Sequence, residues 1–311
     1  MAITVIGASN VDITGRPDGV FALRDSNIGR VNTAYGGVGR NIAHNCALLG
    51  LRILFISAVG GDEEGGRILA QLRAIGADTS ACLISGQHQT GKYMAILDEA
   101  GDMVAAVNDM QVSSLLTAEY LSSLEIPPGL VAVDANLPLE AILMLAKLDK
   151  NRYQTFLEPV SAAKAAKLGA VCGGFSIIKP NVYEAEALTG ISVRCEEDIL
   201  RAGKELLKKG ARRVYLTASE RGVYAFKDKT VLHLIPQRTQ AVNATGAGDA
   251  FSAGILYSCA NGFSLRLSCE FAMACSYVAL KSEKTVSPHM SRERIFDLIK
   301  EKRNEFLCED Q

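Results

Sequence analysis

The chain has no surplus of charge of either sign. Lys and Arg total 33 against 34 Asp and Glu, a formal charge of -1 over 311 residues, so no basic field argues for a nucleic-acid polymer as partner. Cys-x-x-Cys pairs are also missing. The eight cysteines at 46, 82, 172, 195, 259, 269, 275 and 308 are scattered, which suggests neither a zinc site nor a redox dithiol and fits a reducing compartment. No uninterrupted apolar run approaches the roughly 18 residues of a membrane helix. The opening "MAITVIGASNVD" turns polar at once, without the basic start and long apolar run of a signal peptide. A cytoplasmic protein with no membrane partner is expected. Internal repeats, low-complexity tracts and Pro- or Ser-rich linkers are absent, and 48% of the residues are hydrophobic, ample for one large core.

What is present is alternation. Strand-like runs such as "ITVIGA", "RILFISAVG", "GLVAVDAN", "YQTFLEPV", "SIIKPN" and "RRVYLTAS" take turns with helix-length segments, among them "NIAHNCALLGL", "GGRILAQLRAIGA" and "EDILRAGKELLKKGA". This pattern predicts an α/β fold whose mostly parallel sheet is covered by helices on both faces. Ligands in such sheets bind at the carboxyl ends of the strands. The polar residues there are Asn10, Asp12, Asp134, Asn136, Glu158, Lys179, Asn181 and Thr217. Two segments, 13–35 and 88–110, break the alternation and read as short antiparallel strands. The second carries two apolar runs around a D-E-A-G-D turn. Both read as a small β lid near the ligand end, although ordinary surface insertions would leave a similar trace.

Three motifs carry chemistry. In "NATGAGDAF" (243–251), Gly246, Ala247 and Gly248 stand at the start of an apolar helical segment with Asp249 next to them. Unpaired N–H groups at such a helix start form an anion site; an acid in the first turn is also what the helix dipole favours on its own. In "YGGVGRNIAHN" (35–45), Gly36, Gly37 and Gly39 precede a helix expected from about Asn41. Asp12 and Asn41 together can hold vicinal hydroxyls of a sugar, while Asp12 as a plain turn residue fits the same letters. In "KPNVYEAEALTG", Asn181 is a good N-cap and Glu184 sits three residues on, a capping pair. The same two side chains can hold, through its waters, a Mg²⁺ carried by nucleotide phosphates.

Taken together the chain resembles the ribokinase (PfkB) family of small-molecule kinases over essentially its whole length. The motifs GGVGRN (36–41), KPNxxE (179–184), T-x-S-x-x-G (217–222) and TGAGDAF (245–251) occur in family order. The resemblance implies a ribokinase-like three-layer domain over 1–311 with a β lid, ATP as donor, Mg²⁺, and transfer to a primary alcohol. It further implies Asp249 as general base and Gly246, Ala247 and Gly248 as anion hole. Asn181 and Glu184 would serve the Mg–phosphate end. Thr217, Ser219, Gly222 and Thr245 would line the nucleotide site, together with Gly246 and Gly248. Asn10, Asp12, Gly37, Asn41 and Asn136 would hold the acceptor, with Asn108 as a candidate for its base.

Within the family, GGVGRNIA (36–43), the N-A-T-G-A-G-D variant and "SEKTVSP" (282–288) are similar to the subgroup of pseudouridine kinases. Phosphorylation of the pseudouridine 5′-hydroxyl is thus implied, with another nucleoside or sugar as the alternative. Asn243 stands where potassium-activated relatives carry an acid. That neutral amide argues against strong K⁺ dependence and leaves the cation requirement open. Ser219, where relatives often carry Gly, is tolerable if its φ stays negative. Asp249 near a reference pKa of about 3.9 would be a weak base, adequate for a loose transition state that needs its proton removed late.

A homodimer through the lids is expected from their apolar strands. A dinucleotide-binding protein is the rival of another class, suggested by "VIGASNVD" but failing on glycine spacing; a non-catalytic nucleotide sensor need not retain Asp249. His44, His88, His233 and His289 show no ligand spacing, residues 201–213 read as a solvated helix face, and residues 301–311 as a helix end with a frayed tail.

Overall fold

The computed structural model describes residues 2–236, 241–302 and 308–309. The tail expected at 301–311 therefore lies mostly outside the described residues. The chain opens with β1 (Ala2–Ile6) and runs into β2 (Asn10–Pro17) and β3 (Gly29–Gly36). Next come α1 (Val38–Leu48), β4 (Arg52–Ile56), β5 (Ala58–Gly60), α2 (Glu63–Ala74) and β6 (Leu83–Ser85). A hairpin of β7 (Gly91–Leu97) and β8 (Met103–Asp109) precedes α3 (Ala118–Ser122), β9 (Gly129–Asp134), α4 (Leu139–Leu145), β10 (Tyr153–Glu158) and the short α5 (Ala162–Ala165). The remaining elements are β11 (Ile177–Ile178), α6 (Val182–Thr189), α7 (Glu196–Lys208), β12 (Arg213–Thr217), β13 (Val223–Lys227), β14 (Thr230–Leu234), α8 (Ala247–Ala260), α9 (Leu265–Leu280), α10 (Arg292–Lys302) and β15 (Cys308–Glu309).

Nine strands form the main sheet in the order β15-β14-β13-β12-β11-β10-β9-β1-β4. From β4 to β12 the neighbours are parallel; β13, β14 and β15 add an antiparallel edge. The parallel strands are buried on both faces, as "GLVAVD" illustrates with every residue buried in β9. One core lies between the sheet and α1, α8, α9 and α10, the other between the sheet and α4, α6 and α7. Helix α8 is apolar on nearly all sides, because α1 and α9 pack against it within the first core. No helix among the described residues is long and apolar enough to cross a membrane.

The two segments that break the alternation supply a second sheet in the order β3-β2-β7-β8. Its register puts Asp12 opposite Tyr93, and Tyr93 opposite Asn108, on one face. On the other face Ile13 pairs with Met94, and Met94 with Val107. This outer face is apolar yet open: Val31 is 72% and Val107 69% exposed.

Two boundaries differ from the sequence reading. Helix α1 starts at Val38 rather than near Asn41, because Gly37, at φ 95°, makes the turn that lets the helix begin at once. Asp12 does not sit at the end of the first strand. That strand ends at Ile6, and Asp12 lies within β2, already in the small sheet.

The parallel part of the main sheet changes direction between β1 and β9, the crevice where such folds bind ligands. The Asp134 carboxylate, at the end of β9, closes it. Its Oδ2 accepts the N–H groups of Ala8 (2.9 Å) and Gly39 (2.7 Å), and its Oδ1 that of Asn136 (2.9 Å). Burial pushes this carboxyl's pKa up, and the N–H groups of Ala8 and Asn136 oppose the shift. Asp134→Ala would leave three N–H groups without their acceptor. The expected loss is on the order of 3 kcal/mol in urea unfolding; a loss under about 1 kcal/mol would mean that water or neighbours satisfy them.

Candidate active site

Gly246 caps α8 with φ 82°, and a side chain there would stand 2.2 Å from the Thr285 carbonyl oxygen. Only glycine therefore lets the "SEKTVSP" loop close against the helix start. The Ala247 N–H makes only a long bond to the Ala244 carbonyl (3.4 Å), and those of Gly248 and Asp249 have no carbonyl one turn back within α8. Asn243 ties the same two loops together: its Nδ2 donates to the Glu283 carbonyl (3.1 Å) and its Oδ1 accepts from the Thr245 N–H (2.8 Å).

In front of this helix start lies a cavity of about 330 Å³, enough for a small polar ligand. Eight of the residues singled out from sequence line it: Asn10, Asp12, Gly37, Asn41, Asn136, Thr245, Gly246 and Asp249. They arrive from β2, from α1 and the turn before it, from just past the end of β9, and from α8 and the turn before it. Ala8, Val38, Tyr93, Met110 and Val160 complete the wall. Sequence reasoning missed these five, since an apolar or aromatic residue carries no chemical signature; the only available signal for Tyr93 and Met110 was their place in the 88–110 segment. Asn108 is not in the wall, but it lies on the lid face that carries Tyr93.

Hydrogen bonds fix the polar wall. Asn10 Nδ2 donates to Asp12 Oδ1 (2.5 Å) and Asn41 Nδ2 to Asp249 Oδ2 (2.8 Å). Lys164 Nζ donates to Asn136 Oδ1. Burial raises the pKa of Asp12, with the Asn10 amide and the Arg40 charge opposing it. Asp249 departs most from expectation. Burial pushes it up to about 7, against the Asn41 hydrogen bond, while Glu158 and Asp134 add to the rise and Lys179 counters it. The ordinary carboxyl value of about 3.9 expected from the sequence is thus corrected to one near neutrality.

Behind the anion site, Lys179 Nζ and Glu158 Oε2 form a buried pair at 2.8 Å, and the Ser252 hydroxyl of α8 donates to the same Oε2 (2.6 Å). Burial alone would lower the Lys179 pKa, but Glu158 and Glu184 outweigh it and raise it. Asn181 and Glu184 form the expected capping box at the start of α6. Glu184 Oε2 and Oε1 accept from the Asn181 backbone N–H and side-chain amide, and Asn181 Oδ1 accepts from the Glu184 N–H, at 2.8 to 2.9 Å. Burial, then the Glu158 charge, raises Glu184 to about 7. Among the described residues no group of three or more His, Cys, Asp or Glu could hold a metal ion. The Asn181–Glu184 pair, already engaged with itself, fits an ion that keeps its waters rather than one stripped of them.

Thr217 ends β12 beside this box, its N–H donating to the Pro180 carbonyl (2.9 Å). The turn that follows closes through the Ala218 N–H to the Gly222 carbonyl (2.8 Å). Ser219 within it has φ 51°, so the expected negative φ is overturned. The residue sits in the left-handed region that favours glycine, with its side chain exposed.

Comparison with known proteins bears on this geometry. The family of pfkB carbohydrate kinases matches residues 2–292. A pseudouridine kinase of Escherichia coli (strain K12) is 35% identical, covering 96% of each chain. A carbohydrate kinase from Agrobacterium tumefaciens superposes with a TM-score of 0.84 at 28% identity, covering 96% of this chain and 97% of that one. A ribokinase of Arabidopsis thaliana in complex with ribose and ATP shares the fold, with TM-score 0.81 at 21% identity, covering 96% and 99%.

The raised pKa of Asp249 has a cost in stability that can be measured without turnover. Its folded pKa of about 7 lies above the ordinary carboxyl value of 3.8, so folding favours the protonated acid. The resulting penalty is absent below about pH 4, grows between there and about pH 7, and is constant above. Asp249→Asn removes the ionisation, and its melting temperature should exceed the parent's by several degrees at pH 8 and match it near pH 4. Equal melting temperatures at pH 8 would place Asp249 in a solvated, unshifted state.

Proposed function

The chain belongs to the pfkB family of carbohydrate kinases and is a sugar or nucleoside kinase; from that premise we propose that it transfers the γ-phosphoryl group of ATP to the 5′-hydroxyl of pseudouridine. The observation that carries the chemistry is Asp249, with a pKa of about 7, on the wall of a polar cavity and in the first turn of α8. Asp12, with Asn10, Gly37, Asn41 and Asn136, holds the acceptor's sugar in that cavity. Asp249 takes the proton of the 5′-hydroxyl as its oxygen bonds to the γ-phosphorus and the bond to the β-phosphate oxygen breaks, releasing ADP. The N–H groups of the Gly246–Gly248 turn receive the charge that spreads over the equatorial oxygens.

Thr217, Ser219, Gly222 and Thr245 line the nucleotide side. Asn181 and Glu184 would hold a nucleotide-borne Mg²⁺ through its waters, and that ion would supply neutralisation of phosphate charge. Asn243 donates an N–H to the Glu283 carbonyl, so strong K⁺ dependence is not part of the proposal. Lid closure over the acceptor excludes water. A cytoplasmic location accords with the scattered free thiols.

Asp249→Asn should lower kcat by about 10² to 10⁴ while ATP binding stays measurable by calorimetry. The parent's rate should rise about tenfold per pH unit and level off near pH 7, because only the ionised carboxylate accepts the proton. A rate for the variant within about tenfold of the parent would reduce Asp249 to a helix-dipole residue.

The acceptor rests on the 35% identity with the Escherichia coli enzyme and on the N-A-T-G-A-G-D run. Pseudouridine has a C–C glycosidic bond and a ring N–H where uridine has carbon. A site that accepts from this N–H loses about 1–3 kcal/mol with uridine, roughly 5- to 150-fold in kcat/KM. Asn108, on the cavity-side face of the lid, is our candidate acceptor. An ADP-release screen over pseudouridine, uridine, other nucleosides and ribose decides it: equal efficiency with uridine or ribose leaves a family kinase of another substrate.

The lid's outer face, with Val31, Met94 and Val107 exposed, suits a second copy of the same face, and we propose a homodimer built through the lids. Light scattering at micromolar concentration should give twice the chain mass. A monomer there would remove the dimer and leave the kinase untouched.

A further inference from the structure

Arg40 lies one residue before Asn41 on α1 and is 3% exposed. Its Nη1 donates to the carbonyl of Tyr35 and to Asn41 Oδ1, both at 3.0 Å, and its Nη2 donates to Gln71 Oε1 on α2. Its Nε is buried without a partner. A buried, incompletely satisfied guanidinium is expensive, and an apolar side chain of similar volume would serve stability as well. Something other than packing is needed to account for it.

The account lies in the Asn41 amide. A guanidinium only donates and a carboxylate only accepts. With Arg40 on one side and Asp249 on the other, one orientation alone satisfies both: Oδ1 toward Arg40, Nδ2 toward Asp249, as observed. The flipped amide would set N–H against N–H and oxygen against oxygen. We propose that Arg40 is a positioning residue for catalysis, locking the Asn41 amide so that its N–H pins Asp249 Oδ2 and leaves Oδ1 to face the acceptor hydroxyl. The inference rests on the kinase reading of this site.

The surroundings agree. Arg40 faces Asp12 from β2, Tyr35 from β3 and Asp249 from α8, with His44 one turn along α1. Burial lowers its pKa to about 10, so it keeps its charge at neutral pH. Asp249 meets Asn41 from α1, Glu158 and Lys179 from the ends of β10 and β11, and Asp134 from β9. Asn41 is thus its hydrogen-bonded side-chain partner from the wall that also holds the acceptor. Because Tyr35 belongs to the small sheet and Gln71 to α2, the same guanidinium ties the lid's return strand to the reacting carboxylate.

The test is a double-mutant cycle on the full chain, read as ADP release. Arg40→Met should lower kcat by about 10- to 100-fold, the scale of a misaligned reacting group, with the ATP KM within about twofold. Arg40→Lys should recover most of that loss. In an Asn41→Ala background, Arg40→Met should cost less than about twofold further, because both changes remove the same constraint. If Arg40→Met costs the same factor in both backgrounds, or raises the ATP KM in step with the loss of kcat, the proposal is wrong. Should Arg40→Met give no cooperative melt, the cycle is run with Arg40→Lys: its smaller loss should vanish in the Asn41→Ala background, and persistence overturns the proposal equally. The parent and Asp249→Asn separate the failures. No ADP release from the parent with any acceptor sinks the kinase reading itself, full activity in Asp249→Asn sinks Asp249 as the base and this inference with it, and an inactive Asp249→Asn beside an additive Arg40 cycle sinks only the role of Arg40.

Discussion

Everything at this site hangs on one buried carboxylate accepting backbone N–H groups from separate parts of the chain. Asp134 joins the loop after β1, the start of α1 and its own following turn. A buried charge without such partners would be costly, and with them each bond is of the strong, charge-assisted kind. The clamp explains why Gly7 and Gly39 cross so closely: a side chain on Gly39 would stand 2.6 Å from the Gly7 Cα. It also explains why Asn41, two residues along α1, comes within reach of Asp249. If Ala8 and Gly39 were released, the cavity would lose two of its walls together.

Around that clamp, cations and carboxylates alternate at short range. Arg40 stands by Asp12 and Asp249, Lys164 by Asp134, and Lys179 by Glu158 and Glu184. No carboxylate here is left without a hydrogen-bond donor, yet the cations do not fully balance the acids. The imbalance surfaces as two acids, Asp249 and Glu184, with pKa values near neutrality. A site that must take a proton from an alcohol gains from one such group. It is produced here by crowding and burial, not by a dedicated partner.

The legible parts of this site are those whose chemistry is local. Gly246 beside Asp249 could be read from its letters, because a glycine turn before an apolar helix signals an anion site by itself. Asn181 with Glu184 follows the capping rule within four residues, and the box is present. The strand alternation was equally local and led to the right fold class. Properties set by distant partners stayed hidden. The pKa of Asp249 depends on residues 158, 134 and 41, so its reference value was the wrong guide. Arg40 carries no chemical signal within its glycine-rich motif, and its meaning needs Asn41, Tyr35 and Gln71 placed in space. Asp12 was assigned to the wrong strand although Gly7 stands where β1 stops, because one glycine does not reveal that "NVD" continues into a second sheet. Ser219 shows the limit from the other side: its backbone angle follows from a turn that closes between Ala218 and Gly222.

The small sheet is a single layer, with the cavity-lining residues Asp12 and Tyr93 on one face and Ile13, Met94 and Val107 on the other, and it has no interior of its own. Any force that steadies one face therefore acts on the other through the same backbone. Whatever covers the outer face and whatever fills the cavity are thermodynamically linked, and the linkage is reciprocal: each must raise the affinity for the other by the same factor, or lower it by the same factor. In the lid-to-lid dimer proposed above, the midpoint of an acceptor saturation curve would therefore shift with total protein concentration.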